Sequence, residues 1–409
     1  MKKLEELFLG VGYKRLSRVE IDSETSNQHE LNGVTLFKNL FGTERRSFKG
    51  RFIYLPDDKD LMIEEAGICT WYDARENHPS RSEFRLFYSG SEIFQKANED
   101  DLLMVLWKNP EELWLVITPK DSTSEQQLIW LFDLIDSKGK NRLGVKSNIG
   151  DKEEEFAKNF VLESLGIDIV DSNEKLLNDL LGRFGGLFPS TSIFSEYARN
   201  TLDEIPFLDD PDEALLLSFD REEYLFKLLE RHLVIERMKQ GFGADGLNVD
   251  QFISFSLSVH NRRKSRAGFS LENHLEFIFN RHKILYSRGA VTERKSKPDF
   301  LFPGIEYYRD QSFNPAYLKM LGAKTTAKDR WRQVLSEAKR ITHKHLITLE
   351  PSISVMQTDE MKAHNLTLVV PNKIRTTYTT EQQKDILSFT DFLYSIKENE
   401  KQANDFFKV

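Results

Sequence analysis

Apolar and polar positions follow three different patterns along the 409-residue chain. From residue 1 to about 165 the apolar runs are short: Val34 to Phe37, Arg51 to Leu55, Phe84 to Tyr88, Leu102 to Trp107 and Glu112 to Ile117. Gly, Pro, Asn and Asp bound them. Runs of this kind predict several short strands, hence an all-β barrel or sandwich with some helix. From about 166 to 250 the spacing becomes helical, as in Glu213 to Leu217 and Tyr224 to Glu230. Within this zone, the acidic stretch Leu202 to Asp212 is broken by prolines and reads as a linker or an irregular connection.

From about 251 onward helices and strands alternate. Ser270 is placed to cap a helix through Leu271 to Phe279. Asp299 to Phe302 reads as a strand ending at Pro303, and Leu318 to Thr325 as another. Lys328 to Thr342 reads as helix, His345 to Leu349 as strand, Ser354 to Ala363 as helix, and Leu366 to Val370 as a buried strand ending at Pro371. Alternation of this sort implies an α/β domain with a mixed sheet. The expected organisation is multidomain: residues 1–165, connecting helices over 166–212, and an α/β domain over 213–409.

Length and composition agree with two or three globular domains, with 39% hydrophobic and 11% aromatic residues. Cys69 is the only cysteine, which excludes an intrachain disulfide framework and a Cys-based zinc site. The first residues, Met1 to Glu6, are charged, and no run approaches the ~18–20 apolar residues of a membrane span. A soluble, cytoplasmic protein without a membrane partner is the expectation.

The net charge of −8 argues against a nucleic-acid binder until its distribution is considered. Between Ser258 and His345 there are 19 Lys and Arg against 8 Asp and Glu, a local +11, which leaves −19 on the rest of the chain. Segregated charge lets one face hold a polyanion while the protein stays acidic overall.

The chemistry-bearing pattern is Lys297-Pro298-Asp299-Phe300-Leu301-Phe302, followed by Lys324 and then Glu337. Metal-dependent phosphodiester hydrolysis needs carboxylates for Mg²⁺, a hard cation that takes oxygen ligands. It also uses a lysine that can orient or help deprotonate water and neutralise the phosphate. A Pro-Asp strand followed by an acidic-x-Lys strand is the general signature of the PD-(D/E)xK nucleases. Here the acidic position two before Lys324 is Gly322, and Ala323 follows. Glu337 can supply the missing carboxylate from the next helix, about two turns beyond Arg330 on nearly the same face. By itself an Asp, Lys, Glu triple is more often ordinary surface charge.

Longer strings narrow the reading. Asn261 to Gly268, Ser270-Leu271-Glu272, His274-Leu275-Glu276, Lys297 to Pro303, Lys324 to Gln333 and Leu368 to Pro371 occur in one order. Together they closely resemble the catalytic domain of the EcoRII family of type II restriction endonucleases, over roughly 230–375. In that family the metal-binding acid has moved from strand to helix. The resemblance implies Asp299, Lys324 and Glu337 as the catalytic core, with Mg²⁺ on Asp299 and Glu337. It also implies Glu272 as a supporting acid and Tyr308 as a further active-site residue. Alone, Glu272 would be a solvated helix residue and Tyr308 a packed core tyrosine.

The resemblance further implies base reading by Lys328, Asp329 and Arg330. Arg donates to guanine O6 and N7, and Asp accepts from cytosine N4, which suits a CC/GG-containing site such as CC(A/T)GG. Arg262, Arg263, Lys264 and Arg266 are expected on phosphates, which position without reading sequence. Weaker similarity extends over the N-terminal zone, where the family carries a DNA-binding pseudobarrel, an effector domain that binds a second copy of the site. Tyr13 to Ser17 with Gln28 and His29 resembles its first DNA arm. Arg81 to Arg85, with Arg81, Glu83 and Arg85 as contacts, resembles the second, and Phe84 stands where the family has a basic residue.

The implied partners are double-stranded DNA, a second protomer and, functionally, a cognate DNA methyltransferase. Two other readings use the same folds: a non-catalytic DNA-binding regulator, and a repair or methylation-dependent nuclease of the same superfamily.

Overall fold

The computed structural model describes residues 3–21, 29–31, 34–134, 143–147, 149–168, 173–328 and 330–403. It divides into two compact units, Met1–Leu165 with Ser352–Gln357, and Gly166–Pro351 with Thr358–Val409. No helix among the described residues is long and apolar enough to cross a membrane.

Among the described residues, the first unit is built on one eight-stranded sheet. Its strands are β1 (Gly10–Arg15), β2 (Glu30–Leu31), β3 (Arg46–Tyr54), β4 (Ile63–Asp73), β5 (Phe84–Tyr88), β6 (Leu102–Asn109), β7 (Glu112–Thr118) and β8 (Leu143–Lys146). They run in the order β2-β5-β4-β3-β7-β6-β1-β8. All pairs are antiparallel except β3 with β7. The central β6 and β7 are covered on both faces and therefore carry continuous apolar runs rather than alternation. Trp71, stacked 5.1 Å from Phe84, and Phe41, 5.5 Å from Trp71, sit in the core beside them. Val34 to Phe37, expected as strand, is instead a short 3-10 turn, Thr35–Phe37, leading into the helix Lys38–Phe41. Phe37, Leu40 and Phe41 fall at helical spacing and are all buried, so the apolar face continues past the predicted run.

The second unit opens with helices Glu174–Phe184 and Thr191–Asn200, which pack on a 30-residue helix, Pro211–Gln240. Leu180, Phe194, Ala198, Leu225, Phe226 and Leu229 form their common core. The Leu202 to Asp212 stretch is therefore not a free linker at its end. Asp210 caps the long helix by accepting from the Glu213 N–H, Pro211 occupies its first turn, and Asp212 is buried. The Asp212 carboxylate takes the backbone N–H groups of Asn372, Phe389 and Thr390, which ties the start of this helix to the C-terminal segment.

A second long helix, Val249–Arg281, is capped by Asn248, so Ser270 lies in mid-helix rather than at a start. Its Phe279 packs on Phe300, Phe302 and Phe389, where the helix meets the sheet. That sheet has five strands: β9 (Ser287–Arg288), β10 (Phe300–Phe302), β11 (Lys319–Ala323), β12 (Lys344–Ile347) and β13 (Leu366–Val369), in the order β13-β12-β11-β10-β9. It is mixed: β9, β10 and β11 pair antiparallel, whereas β11, β12 and β13 pair parallel. Between β11 and β12 the predicted long helix shrinks to Trp331–Leu335. Ala338, at φ 44, turns the chain out of helical conformation.

Candidate active site and DNA-facing residues

Asp299 immediately precedes β10, opposite the end of β11. Its Oδ2 accepts the backbone N–H of Ala323 at 2.7 Å and the Lys324 ammonium at 2.9 Å. The antiparallel register, Phe300 opposite Leu321, sets this meeting, because it brings the residue before β10 level with the exit of β11. Both side chains are about one-fifth exposed, open enough to meet a substrate.

Gly322 has a physical reason. A Cβ built on it would lie 2.9 Å from Val334 Cγ2, a side chain of the helix Trp331–Leu335. The strand position that carries the acid in the general nuclease signature is thus closed by packing. Glu337 occupies the neighbourhood instead, just beyond that helix rather than within it, with its N–H on the Val334 carbonyl at 3.2 Å. Burial and the nearby charge of Asp299 push the Glu337 carboxyl up to about 7, against the opposing pull of Lys324 and Lys344. Among the described residues, buried Glu337 Oε2 has no hydrogen-bond partner.

Glu272 joins this group from the long helix Val249–Arg281. Burial and Asp299 raise its carboxyl, while Arg288 and Lys324 oppose that rise. Arg288 donates to Glu272 Oε2 from Nε at 3.1 Å and from a terminal nitrogen at 3.0 Å. The same guanidinium reaches Glu276 at 2.6 Å and Asn273 Oδ1 at 2.9 Å. Arg288 was not singled out in the sequence, where a lone Arg in a short edge strand carries no signal.

Tyr308 sits elsewhere in the network. Its hydroxyl donates to Glu293 at 2.7 Å and accepts the Arg340 N–H at 3.2 Å; burial first, then Glu293, pushes it up to about 12. Together with Thr292 and Arg309, these residues line a cleft.

A divalent cation fits the carboxylate pair. A buried carboxylate with an oxygen that has no partner among the described residues, raised by the charge of a second carboxylate, matches the donor chemistry of a hard cation. Among the described residues no group of three or more His, Cys, Asp or Glu is gathered for a metal. Mg²⁺ is commonly held by one or two carboxylates with water and substrate phosphate completing its shell.

The expected DNA-facing residues divide. On the long helix, Arg263 and Lys264 are exposed and Arg262 is half-buried. The Arg262 guanidinium lies 4.9 Å from the Phe188 ring, and Arg263 pairs with buried Glu230 at 2.5 Å. Arg266 does not fit the phosphate expectation. It is 5% exposed, with its two terminal nitrogens at 2.7 Å from Glu222 and Glu223. Arg263 and Arg266 share one helical face and both pair with carboxylates of the helix Pro211–Gln240, but only Arg266 is buried against it. Lys328 is likewise buried, Arg330 is half-exposed at the start of the short helix, and Asp329 lies outside the described residues.

In the first unit Arg81 and His29 are exposed, and the His29 ring stands 5.8 Å edge-on to Tyr88. Arg85 is held between Glu30 and Glu83, both at 2.7 Å, and Glu83 also takes Arg75. Phe84 points into the core against Trp71, so a basic side chain at that position would be buried. Arg15 is buried in an ion pair with Glu125, and Tyr13 is buried too; the strand β1 lies between β6 and β8 instead of forming an open arm. Gln28 lies outside the described residues.

A buried polar group also escaped notice in the sequence. His274 Nε2 stands 2.9 Å from Glu222, and Arg199 donates to His274 Nδ1 at 3.0 Å. Burial holds His274 below its ordinary 6.5. Helical spacing alone marks His274 as inward-facing and says nothing about its partners.

Residues 226–393 match the family described as EcoRII C terminal. The type II restriction enzyme EcoRII of Escherichia coli is 41% identical over 212 residues, which cover 50% of this chain and 50% of that enzyme. The type II restriction enzyme SsoII of Shigella sonnei is 25% identical over 226 residues, 49% of this chain and 72% of that one. The chain thus matches about half the length of the first relative. Among solved structures, metal-depleted Ecl18kI in complex with uncleaved DNA aligns with a TM-score of 0.45 and 20% identity, over 56% of this chain and 86% of that one. The PspGI–substrate DNA complex aligns with a TM-score of 0.40 and 12% identity, over 57% and 94%.

Proposed function

Residues 226–393 match the EcoRII C-terminal family, and from that match we propose that the chain is a type II restriction endonuclease that hydrolyses double-stranded DNA with Mg²⁺. The observation that carries the reading lies inside this domain: Asp299 and Lys324 in direct contact, with Glu337 coupled to both.

Asp299 and Glu337 would hold the cation, which supplies charge stabilisation at the phosphate and lowers the pKa of bound water. Lys324, in contact with Asp299, would orient the attacking water and balance phosphate charge. The N–H of Ala323 keeps Asp299 Oδ2 turned toward Lys324. Glu272, fixed by Arg288, adds a carboxylate that electrostatically senses Asp299. A magnesium-dependent digest of genomic DNA with sequenced ends tests the reading. Ends sharing a CC/GG-containing site such as CC(A/T)GG support it. Cutting that chelation leaves intact would sink the metal-dependent mechanism, and binding without cutting would favour a DNA-binding regulator.

The reading extends to regulation and assembly. Cutting both strands of a two-fold symmetric site asks for two active sites, and one chain carries one, so a homodimer is the working form. The first unit would engage a second DNA copy and thereby favour the cutting-competent state, through its differential affinity for the two states. A cognate methyltransferase would protect host sites. Slow cutting of a one-site plasmid, sped by added short duplex or by a chain beginning at Gly166, is expected. Equal rates on one-site and two-site plasmids for both chains would remove this role from residues 1–165.

A further inference from the structure

The turn between Lys324 and Arg330 is held from below by a carboxylate that no catalytic step uses. Glu350 is fully buried, and its Oε2 accepts two consecutive backbone N–H groups, Ala327 at 2.7 Å and Lys328 at 3.1 Å. Two successive N–H groups converging on one oxygen make an anion cradle in which the anion is supplied by the protein itself. The cradle coincides with a bend: Lys328 has φ 24, and the Arg330 N–H closes a turn onto the Ala327 carbonyl at 2.7 Å.

The clamp is tied on its other side as well. Tyr378 donates its hydroxyl to the Glu350 carbonyl at 2.6 Å. Thr348 Oγ1 accepts the Glu350 N–H at 3.2 Å and donates to the Thr325 carbonyl at 3.3 Å. The Lys324 N–H meets the Ile347 carbonyl at 3.0 Å. The backbone at Lys324, Thr325, Ala327 and Lys328 is thus docked on the exit of β12, and the Arg330 N–H is bonded back to Ala327. A buried carboxylate is an energetically poor way merely to fill space, because desolvation offsets much of what its bonds contribute. What it does supply is one defined backbone path.

We propose that Glu350 is a positioning residue for DNA specificity: by holding the Ala327 and Lys328 N–H groups it sets where Arg330 meets a base edge. This rests on the reading of the chain as a sequence-specific nuclease. Glu350 touches neither DNA nor the reacting atoms, so its loss acts on discrimination before it acts on affinity for DNA in general.

The test uses the full chain with Glu350→Gln, Glu350→Asp and Glu350→Ala. Glutamine keeps an acceptor at the same reach; aspartate keeps the charge but is one methylene too short; alanine keeps neither. Two readouts are taken: amide exchange at Ala327 and Lys328, and the ratio of cleavage on cognate duplex to cleavage on duplexes with one altered G:C pair. A lost bidentate base contact is worth a fall of about 5- to 150-fold in that ratio. Expected are near wild-type values for Gln, faster exchange with a fall in that range for Asp, and a larger fall for Ala. Affinity for random duplex should stay within about twofold throughout. If the alanine chain does not fold, the order of Gln over Asp decides. Full discrimination by Asp despite fast exchange overturns the proposal, as do equal losses on cognate and random DNA. A wild-type chain that does not discriminate at all removes the reading of function and the specificity role with it, whereas slow exchange at the two amides would still report the clamp.

Discussion

Lys324 donates to Asp299 Oδ2 at 2.9 Å, and that same oxygen also accepts the Ala323 N–H. The acid is therefore held by both the backbone and the side chain of the strand exit it faces. Glu337 feels both charges from a different segment. In the proposed mechanism the three act on the metal and the phosphate, not on bases. Asp299→Ala, Lys324→Ala and Glu337→Ala should each lower the single-turnover cleavage rate by at least about 10²- to 10⁴-fold and leave cognate binding in place. Gel-shift titration beside a cleavage time course checks this. Wild-type cutting by Glu337→Ala would show that the displaced carboxylate has no part in the reaction.

Gly322 cannot take back the acid. Its missing Cβ would fall 2.9 Å from Val334 Cγ2. Gly322→Asp should destabilise by about 1–3 kcal/mol through overpacking, and in a Glu337→Ala background it should not restore cutting. Denaturant unfolding and a plasmid assay on the double variant report the two halves. Recovered cleavage would mean that Val334 yields and the strand position is open after all.

Arg266 and Lys264 lie two residues apart on one helix and should behave oppositely. Arg266→Ala strips Glu222 and Glu223 of a buried partner and should cost about 3–5 kcal/mol of stability. Lys264 is exposed, so Lys264→Ala should leave stability within about 0.5 kcal/mol. It should instead reduce the salt dependence of DNA binding by about one unit of slope. Urea midpoints and binding isotherms at several salt concentrations separate them. A stable Arg266→Ala chain with a flattened salt slope would return that arginine to the DNA surface.

Acid should weaken the second unit through His274 and Glu222. Burial holds the His274 imidazole below its ordinary 6.5. As pH falls through about 6.5 the unfolded chain takes up a proton that the folded one refuses, and stability drops by up to about 1.4 kcal/mol per pH unit. Burial favours the protonated form of Glu222, but His274 and Arg266 outweigh it and lower its carboxyl. Its contribution is present above the ordinary carboxylate range and is lost as pH falls through the folded value, so both groups act in the same direction. Denaturant midpoints between pH 7.5 and 5.5 should fall for the wild type and fall less for His274→Gln. A flat wild-type profile would mean that His274 is free to protonate in the folded chain.

Much of the strand pattern was legible in the chain itself. Phe84 to Tyr88, Leu102 onward and Glu112 onward announce strands because β-branched and aromatic runs between turn residues have few other uses. The alternation after residue 251 announces the mixed sheet. Asp299 and Lys324 were legible as neighbours because they bracket adjacent strands, and the longer charged strings pointed to a family whose C-terminal domain matches residues 226–393.

Tertiary structure decided what lies on which side of a surface. Arg263 and Arg266 look alike in a basic string, yet only the packing of one helix on another buries the second. Ser270 has the look of a cap, but the helix runs through it from Val249 to Arg281 and Ser270 is buried against its neighbours in mid-helix. Glu337 has no helical spacing to Arg330, since the helix ends at Leu335. Val334 closes the space above Gly322 and Glu337, three residues on, comes within electrostatic reach of Asp299, a meeting of segments that local propensity does not encode. Glu350 belongs to the same class: its role depends on which backbone N–H groups arrive beside it, and a sequence states residues and spacings but not arrivals.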